Sequence, residues 1–144
     1  MIEILQIQIG NCGNLIGNSF WKVISEQHGI SNNGIYKGFS DSQLENISVY
    51  FDETKDHHFL ARSILVDLGS DSFGQIKSSS YSQLFNPNFM ISSNESSDKN
   101  YSKAVKIYSS QLDTLIINNI RKEVETCDQL QGIQIIYGLG GGTG

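Results

Sequence analysis

The chain has 144 residues, a net charge of −5 and 38% hydrophobic residues, which fits one ordinary globular domain. This acidic balance gives no overall attraction to nucleic acid, and no apolar run approaches the roughly 18 residues that a membrane span requires. The two cysteines, Cys12 and Cys127, are too few for a disulfide framework and fit a reducing, cytosolic setting. The start "MIEILQIQIG" has no basic region or cleavage site, so no signal peptide is predicted.

The first half of the chain predicts a strand over residues 4–9 and then a helix. "ILQIQI" is β-prone, and the apolar residues that follow it recur at helical spacing. Asn11 is the expected N-cap, and Gly29 is the expected stop after His28. Residues 30–61 are rich in turns and are predicted to form a long excursion with short strands, such as "ISVYF" at 47–51. Trp21 is predicted to lie in the core or at an interface, and not to stack on a base.

The second half alternates strands and helices. Strands are predicted at 64–68 ("ILVDL"), 89–92 ("FMIS") and 133–137 ("IQIIY"), with a short helix near Gln75–Ser79 and a long helix over 103–127. The apolar stripe of the long helix comprises Tyr108, Leu112, Leu115, Ile116, Ile120, Val124 and Cys127. Cys127 is therefore predicted to be a core residue. The element order predicts an α/β fold with a mostly parallel, Rossmann-like sheet.

Four loops are expected at the carboxyl edge of this sheet, where open α/β sheets bind ligands. They are "GNCGN" at 10–14, "DLGSDS" at 67–72, "SSNESSD" at 92–98 and "GLGGGTG" at 138–144. Glycines allow backbone N–H groups to approach an anion closely. The loops alone support phosphate binding and simple tight turns equally.

Known phosphate motifs fit poorly. The chain contains no G-x-x-x-x-G-K-[ST], and "GNCGNLIG" departs from G-x-G-x-x-G. The next acidic strand end, Asp67, lies much further on than the roughly 20 residues of a dinucleotide fold. A nicotinamide-dependent oxidoreductase is therefore not expected.

Longer stretches of the chain resemble β-tubulins, of the tubulin/FtsZ GTPase family. The likeness is carried by "QIGNCGNLIGNSFWKVISEQHGI", "QLENISVYF", "RSILVDL", "RKEVETCDQLQG" and "LGGGTG", in nearly collinear register except over 88–99. It implies that residues 1–144 are the amino-terminal part of a tubulin/FtsZ GTPase domain, incomplete at the C-terminus. The family motif continues beyond "GGGTG" into a serine, a glycine and a helix that this sequence lacks.

The resemblance also implies a nucleotide site that binds GTP, with Mg²⁺ as a doubtful companion. The positions that match the family's nucleotide contacts are Gly10, Asn11, Cys12, Asn100, Gly138, Gly140, Gly141, Gly142, Thr143 and Gly144. Asp67 is a weak metal candidate that would act through water, because Gly69 replaces the family's acidic residue. No catalytic residue is expected, because hydrolysis in the family needs an acidic group from the next α subunit.

Several residues depart from the family pattern. Asn11 stands where the family has glutamine, and Gly138 replaces a serine. The family's "GAGN" phosphate loop corresponds to about "SSDK", with Asn100 close by. Glu95 and Asp98 would repel phosphate there, and Lys99 would offset them in part.

Three functions follow from these observations. The first is a β-tubulin-like, GTP-binding constituent of microtubules in the cytoplasm and cytoskeleton, with an α-tubulin-like subunit and the microtubule lattice as partners. The second is a degenerate tubulin-like interaction module that no longer binds nucleotide. The third is a fragment from an incomplete gene, which would be prone to aggregation. No nucleic-acid or membrane partner is expected.

Overall fold

The computed structural model describes residues 2–69, 71–93 and 95–144. Ser70 and Asn94, which belong to two of the predicted loops, lie outside this part of the chain. The helices and strands are β1 (Glu3–Ile9), α1 (Gly10–Gln27), α2 (Asp41–Glu45), β2 (Phe51–Glu53), β3 (Phe59–Ala61), β4 (Ser63–Asp67), α3 (Asp71–Ser78), β5 (Met90–Ser92), α4 (Tyr101–Ile107), α5 (Asp113–Thr126) and β6 (Leu130–Tyr137).

The central sheet has the strand order β5-β4-β1-β6, and each neighbouring pair is parallel. In the middle strand, Gln6 is in register with Ser63 on one side and with Gln134 on the other. β2 and β3 form a separate antiparallel hairpin. The predicted α/β, Rossmann-like architecture is confirmed, and all four parallel strands deliver their carboxyl ends to one edge.

Two apolar clusters pack against the central sheet. One joins Leu5, Ile7 and Val66 to residues of the 101–126 helical region, including Ile107 and Ile116. The second cluster surrounds Trp21, which is fully buried as predicted, and contains Phe51, Phe59, Leu65, Phe73, Ile76 and Phe85. Helices therefore cover both faces of β1 and β4, while Ile133, Ile135 and Tyr137 on β6 remain exposed.

Glycines let α1 approach the sheet closely. A Cβ added to Gly13 would lie 2.3 Å from the backbone oxygen of Ile136, and one added to Gly17 would lie 2.1 Å from the Gln8 Cδ. The neighbour of Gly13 is backbone, so this position requires glycine at the observed helix–sheet separation. At Gly17 the buried Gln8 side chain would have to move to admit a Cβ. The close packing holds the start of α1 beside the carboxyl end of β6.

Two local predictions in the first half are wrong. Residues 47–51 are not a strand, because Ile47–Val49 form a 3₁₀ turn and β2 begins only at Phe51. Asn11 is not the N-cap, because α1 already begins at Gly10 and follows β1 without a connecting residue. The predicted stop is confirmed: His28 is the C-cap, and Gly29 adopts a φ of +67°.

The long predicted helix is interrupted by a π-helical turn over Tyr108–Leu112. A π turn adds one residue to the helical repeat and rotates the apolar stripe. Leu112 and Ile116 remain buried, but Tyr108 and Leu115 are 37% and 46% exposed, so their assignment to the stripe is wrong. Cys127 lies just beyond α5, half-buried beside the Arg62 guanidinium, and not in the apolar core.

Candidate functional site

A cleft of about 870 Å³ lies at the carboxyl edge of the central sheet. Segments from all four predicted loops line it: residues 10–12, 67–69, 96–99, and 138 with 140–144, together with Ser72 and Gln75 on α3. The volume falls within the range of small-molecule sites. The structure therefore brings the four loops to one place, as the sheet topology predicted.

The first turn of α1 forms one wall of the cleft through Gly10, Asn11 and Cys12. The helix starts without a side-chain capping hydrogen bond and without an acidic residue in its first turn. The first N–H groups of a helix have no partner within the helix, and the helix dipole makes this end positive. An anion in the cleft would meet these groups directly.

The glycine loop after β6 forms the adjoining wall, since a Cβ added to Gly138 would lie 3.2 Å from the Cys12 Cβ. Its end folds back on its beginning, since a Cβ added to Gly144 would lie 2.1 Å from the backbone oxygen of Gly138. Gly142 sits tightly over Ser97, with an added Cβ only 2.3 Å from the Ser97 Oγ. Gly140 faces open space, where an added Cβ meets no atom within 4 Å. The loop backbone is thus accessible to a ligand at Gly140 and held in place at Gly142.

The Asp67 carboxylate lies at the base of the cleft and is 6% exposed. Its Oδ1 accepts hydrogen bonds from the N–H groups of Leu68 (2.8 Å) and Gly69 (3.4 Å). Its Oδ2 accepts a hydrogen bond of 2.6 Å from the Ser72 hydroxyl. Both oxygens therefore serve to fix the turn between β4 and α3.

The loop before α4 carries a four-residue turn over 97–100, closed by the Asn100 N–H, which donates to the Ser97 carbonyl at 2.9 Å. Its central residues, Asp98 and Lys99, have φ values of +50° and +63°. This is the backbone of a type I′ turn, in which glycine is favoured. The backbone shape that glycine would allow is therefore kept here by two charged residues.

The charges of this turn are arranged asymmetrically. The Lys103 ammonium lies 2.5 Å from the Asp98 carboxylate, and this hydrogen bond and charge hold the pKa of Asp98 below its ordinary value. The Glu95 carboxylate accepts a hydrogen bond from the Gln111 side chain and does not line the cleft. Lys99 lines the cleft and has no ion pair among the described residues.

Asn100 differs from the other residues predicted to contact nucleotide, all of which line the cleft. Its side-chain oxygen caps α4 by accepting a hydrogen bond from the Lys103 N–H at 3.2 Å. The sequence analysis did not single out Gln75, which shares the cleft with Ser72. Ser72 and Gln75 are three residues apart on α3 and therefore lie on one helical face. This spacing is the sequence signal that could have identified Gln75 as a cleft residue.

The donor set of the cleft does not fit a magnesium ion. At nucleotide sites Mg²⁺ is bound in an octahedral shell by water, by substrate phosphates and by one or two carboxylates of the protein. Both carboxylate oxygens of Asp67 accept hydrogen bonds within the turn that follows β4. Asp98 is paired with Lys103, and Gly69 has no side chain to bind a metal. Within residues 2–69, 71–93 and 95–144, no group of three or more His, Cys, Asp or Glu residues is placed to hold a metal.

The fold is that of an α/β domain with a parallel sheet, and the cleft lies at the carboxyl edge, where such domains commonly bind ligands. Residues 3–144 match the family model of the Tubulin/FtsZ family, GTPase domain. The chain therefore belongs to the Tubulin/FtsZ family.

Curated relatives agree with this assignment. The whole chain is 44% identical to the tubulin beta-6 chain of Gallus gallus and 42% identical to the tubulin beta-2 chain of Hypocrea virens, covering 32% of each. It is 41% identical to the nucleomorph tubulin beta chain of Guillardia theta and covers 33% of that protein. The chain thus spans about a third of the length of these β-tubulins. No helix in the described part of the chain is long and apolar enough to cross a membrane.

Proposed function

We propose that the chain binds GTP in the cleft, with the triphosphate held by the first turn of α1 and by the adjoining glycine loop after β6. The observation that carries this proposal is that two neighbouring sets of accessible backbone groups line one space of about 870 Å³. One set is the uncapped start of α1, and the other is the loop at Gly140. Membership of a GTPase-domain family supports guanine nucleotide as the ligand.

The cleft supports binding better than hydrolysis. The two carboxylates that line it, those of Asp67 and Asp98, are engaged by hydrogen bonds and by Lys103. The hydrogen bonds to Asp67 and the ion pair between Asp98 and Lys103 make both carboxylates poor general bases. We therefore expect negligible GTP turnover by the purified chain, measured as phosphate release.

The likeness to β-tubulins supports a role in microtubules. In this proposal the chain acts in the cytoplasm and cytoskeleton, beside an α-tubulin-like partner. Co-sedimentation with microtubules assembled from purified tubulin tests this role. Recovery of the chain in the supernatant at every tubulin concentration would contradict it.

Gly140→Val tests the nucleotide site without disturbing the fold. The new side chain enters open space in front of the loop, so the thermal midpoint should be unchanged. It should block one or two hydrogen bonds from backbone amides to phosphate, each worth about 1.5–3 kcal/mol, and weaken GTP binding roughly 10- to 1,000-fold. Gly132→Val is the matched control, because Gly132 also faces open space but lies away from the cleft.

Binding of a fluorescent GTP analogue, displaced by unlabelled GTP, provides the measurement. Equal affinity of Gly140→Val and Gly132→Val would contradict the proposed site. A wild-type chain that binds no guanine nucleotide would instead favour the interaction module without nucleotide. The turn at Asp98 and Lys99 supports this second function, because two charged residues in left-handed conformation stand where the family's phosphate loop has glycines.

A further inference from the structure

A polyanion bound in the cleft would need positive charge nearby to compensate its own. A nucleoside triphosphate carries several negative charges, which bound cations ordinarily neutralise. The residues of the cleft do not fit a metal ion, because their carboxylates are engaged elsewhere. A cationic side chain of the chain itself is then the group that can supply the compensating charge.

Lys99 is the side chain in position to supply it. It is the lysine that lines the cleft, and within the described part of the chain it forms no ion pair. Its neighbour Asp98 also lines the cleft, but the Lys103 ammonium holds that carboxylate at 2.5 Å. Lys103 thus neutralises Asp98 and leaves the Lys99 charge uncompensated.

The backbone also contributes to this arrangement. Lys99 occupies the second central position of the 97–100 turn, with a φ of +63°. The turn packs against the glycine loop, because Gly142 lies directly over the Ser97 hydroxyl. Lys99 is therefore attached next to the glycine loop that lines the cleft. A lysine ammonium is a compact charge that binds phosphate well in such a place.

We propose that the Lys99 ammonium neutralises the phosphate charge of the bound nucleotide, so that binding in this cleft does not depend on a divalent metal ion. This inference rests on the proposed nucleotide site. It adds a role for Lys99, whose ammonium group would take the place of a bound metal ion.

The test measures GTP, GDP and GMP binding to the full chain in excess Mg²⁺ and in excess EDTA. Wild-type affinity for GTP should agree between the two buffers within about threefold. Lys99→Met should weaken GTP binding about tenfold or more in EDTA, and GMP binding less, because fewer phosphate charges lose their partner. Lys99→Arg should restore most of the affinity.

Lys122→Met is the matched control, since it removes the same charge from the exposed surface of α5, away from the cleft. Equal GTP affinities for Lys99→Met and Lys122→Met would overturn the inference. A wild-type affinity that falls more than about tenfold in EDTA would also overturn it, while leaving the nucleotide site intact. A wild-type chain that binds no guanine nucleotide in either buffer would overturn both this inference and the proposed function.

Discussion

Replacing Glu123 with glutamine is expected to stabilise the chain at neutral pH. Glu123 is 3% exposed and lies in a buried cluster where the Arg62 guanidinium also faces Glu3 and Asp52. Burial, followed by the hydrogen bond and charge of Asp52, raises the pKa of Glu123 to about 8, although Arg62 acts in the opposite direction. At pH 7 the native carboxyl group therefore holds a proton that the unfolded chain releases.

The sign of the pH dependence follows from this difference in bound protons. Between the ordinary pKa of 4.5 and about 8, the native state binds one proton more than the unfolded state. The free energy of unfolding then falls as pH rises, by at most about 1.4 kcal/mol per pH unit from this group. From about pH 5 to about pH 7 the loss is on the order of 3 kcal/mol.

Glutamine avoids this loss because its amide has no proton to release and can still donate a hydrogen bond to the Asp52 carboxylate. The stability of Glu123→Gln relative to wild type should therefore increase between about pH 5 and about pH 8 and then level off. Urea unfolding measures it through the fluorescence of Trp21, the single tryptophan, which is fully buried.

Glu125→Gln is the matched control, since Glu125 is exposed on the same helix. A stability difference between Glu123→Gln and wild type that stays constant over this pH range would refute the reasoning. The same conclusion would follow if Glu125→Gln showed an equal change with pH.

Three further substitutions test the packing, the strained turn and the sheet edge. Gly17→Ala should lower the free energy of unfolding by about 1–3 kcal/mol in urea, because the new Cβ would lie 2.1 Å from the Gln8 Cδ; an unchanged midpoint would contradict the close packing of α1. Lys99→Gly should raise it by about 1 kcal/mol by removing a left-handed non-glycine residue, while weakening GTP binding; reduced stability would argue against the 97–100 turn. Ile135→Lys places a charge at a 53% exposed position on the edge strand β6 and should reduce self-association in sedimentation velocity; association equal to that of wild type would show that this edge is not the contact.

The parallel sheet was predictable because its strands are short apolar runs separated by helical spacing. β1 and β4 are buried on both faces, and such strands show their burial directly in their composition. The meeting of the four loops at one edge then follows from the parallel direction of the strands. The end of α1 was also predictable, because Gly29 supplies the left-handed residue that such helix ends favour.

The errors have a common cause in tertiary structure. Helical periodicity assumes a constant repeat, and the π turn at Tyr108–Leu112 breaks that assumption with no proline or glycine to indicate it. Asn11 has the composition of an N-cap, but α1 starts one residue earlier because β1 runs directly into it. Cys127 follows the stripe in sequence, yet the buried Arg62 draws it into a polar environment.

The site was predictable in its loops but not in its charges. The positions of the glycines mark where a backbone can approach an anion, and the structure gathers those positions around the cleft. The pairing of Asp98 with Lys103 depends on how the 97–100 turn meets α4, which the sequence does not reveal. The engagement of Asp67 by Ser72 likewise requires the turn after β4 to be formed.

The most direct test of the nucleotide site is an NMR titration of the ¹⁵N-labelled chain with GTP, following the backbone amides one by one. If GTP binds in the cleft, the largest chemical-shift changes should occur at Gly10, Asn11 and Cys12, at Gly140–Gly142 and at Lys99. The amides of the β2–β3 hairpin should change little. Saturating GTP that leaves the amides of α1's first turn and of the glycine loop unmoved would contradict the account, as would shifts that centre elsewhere on the chain.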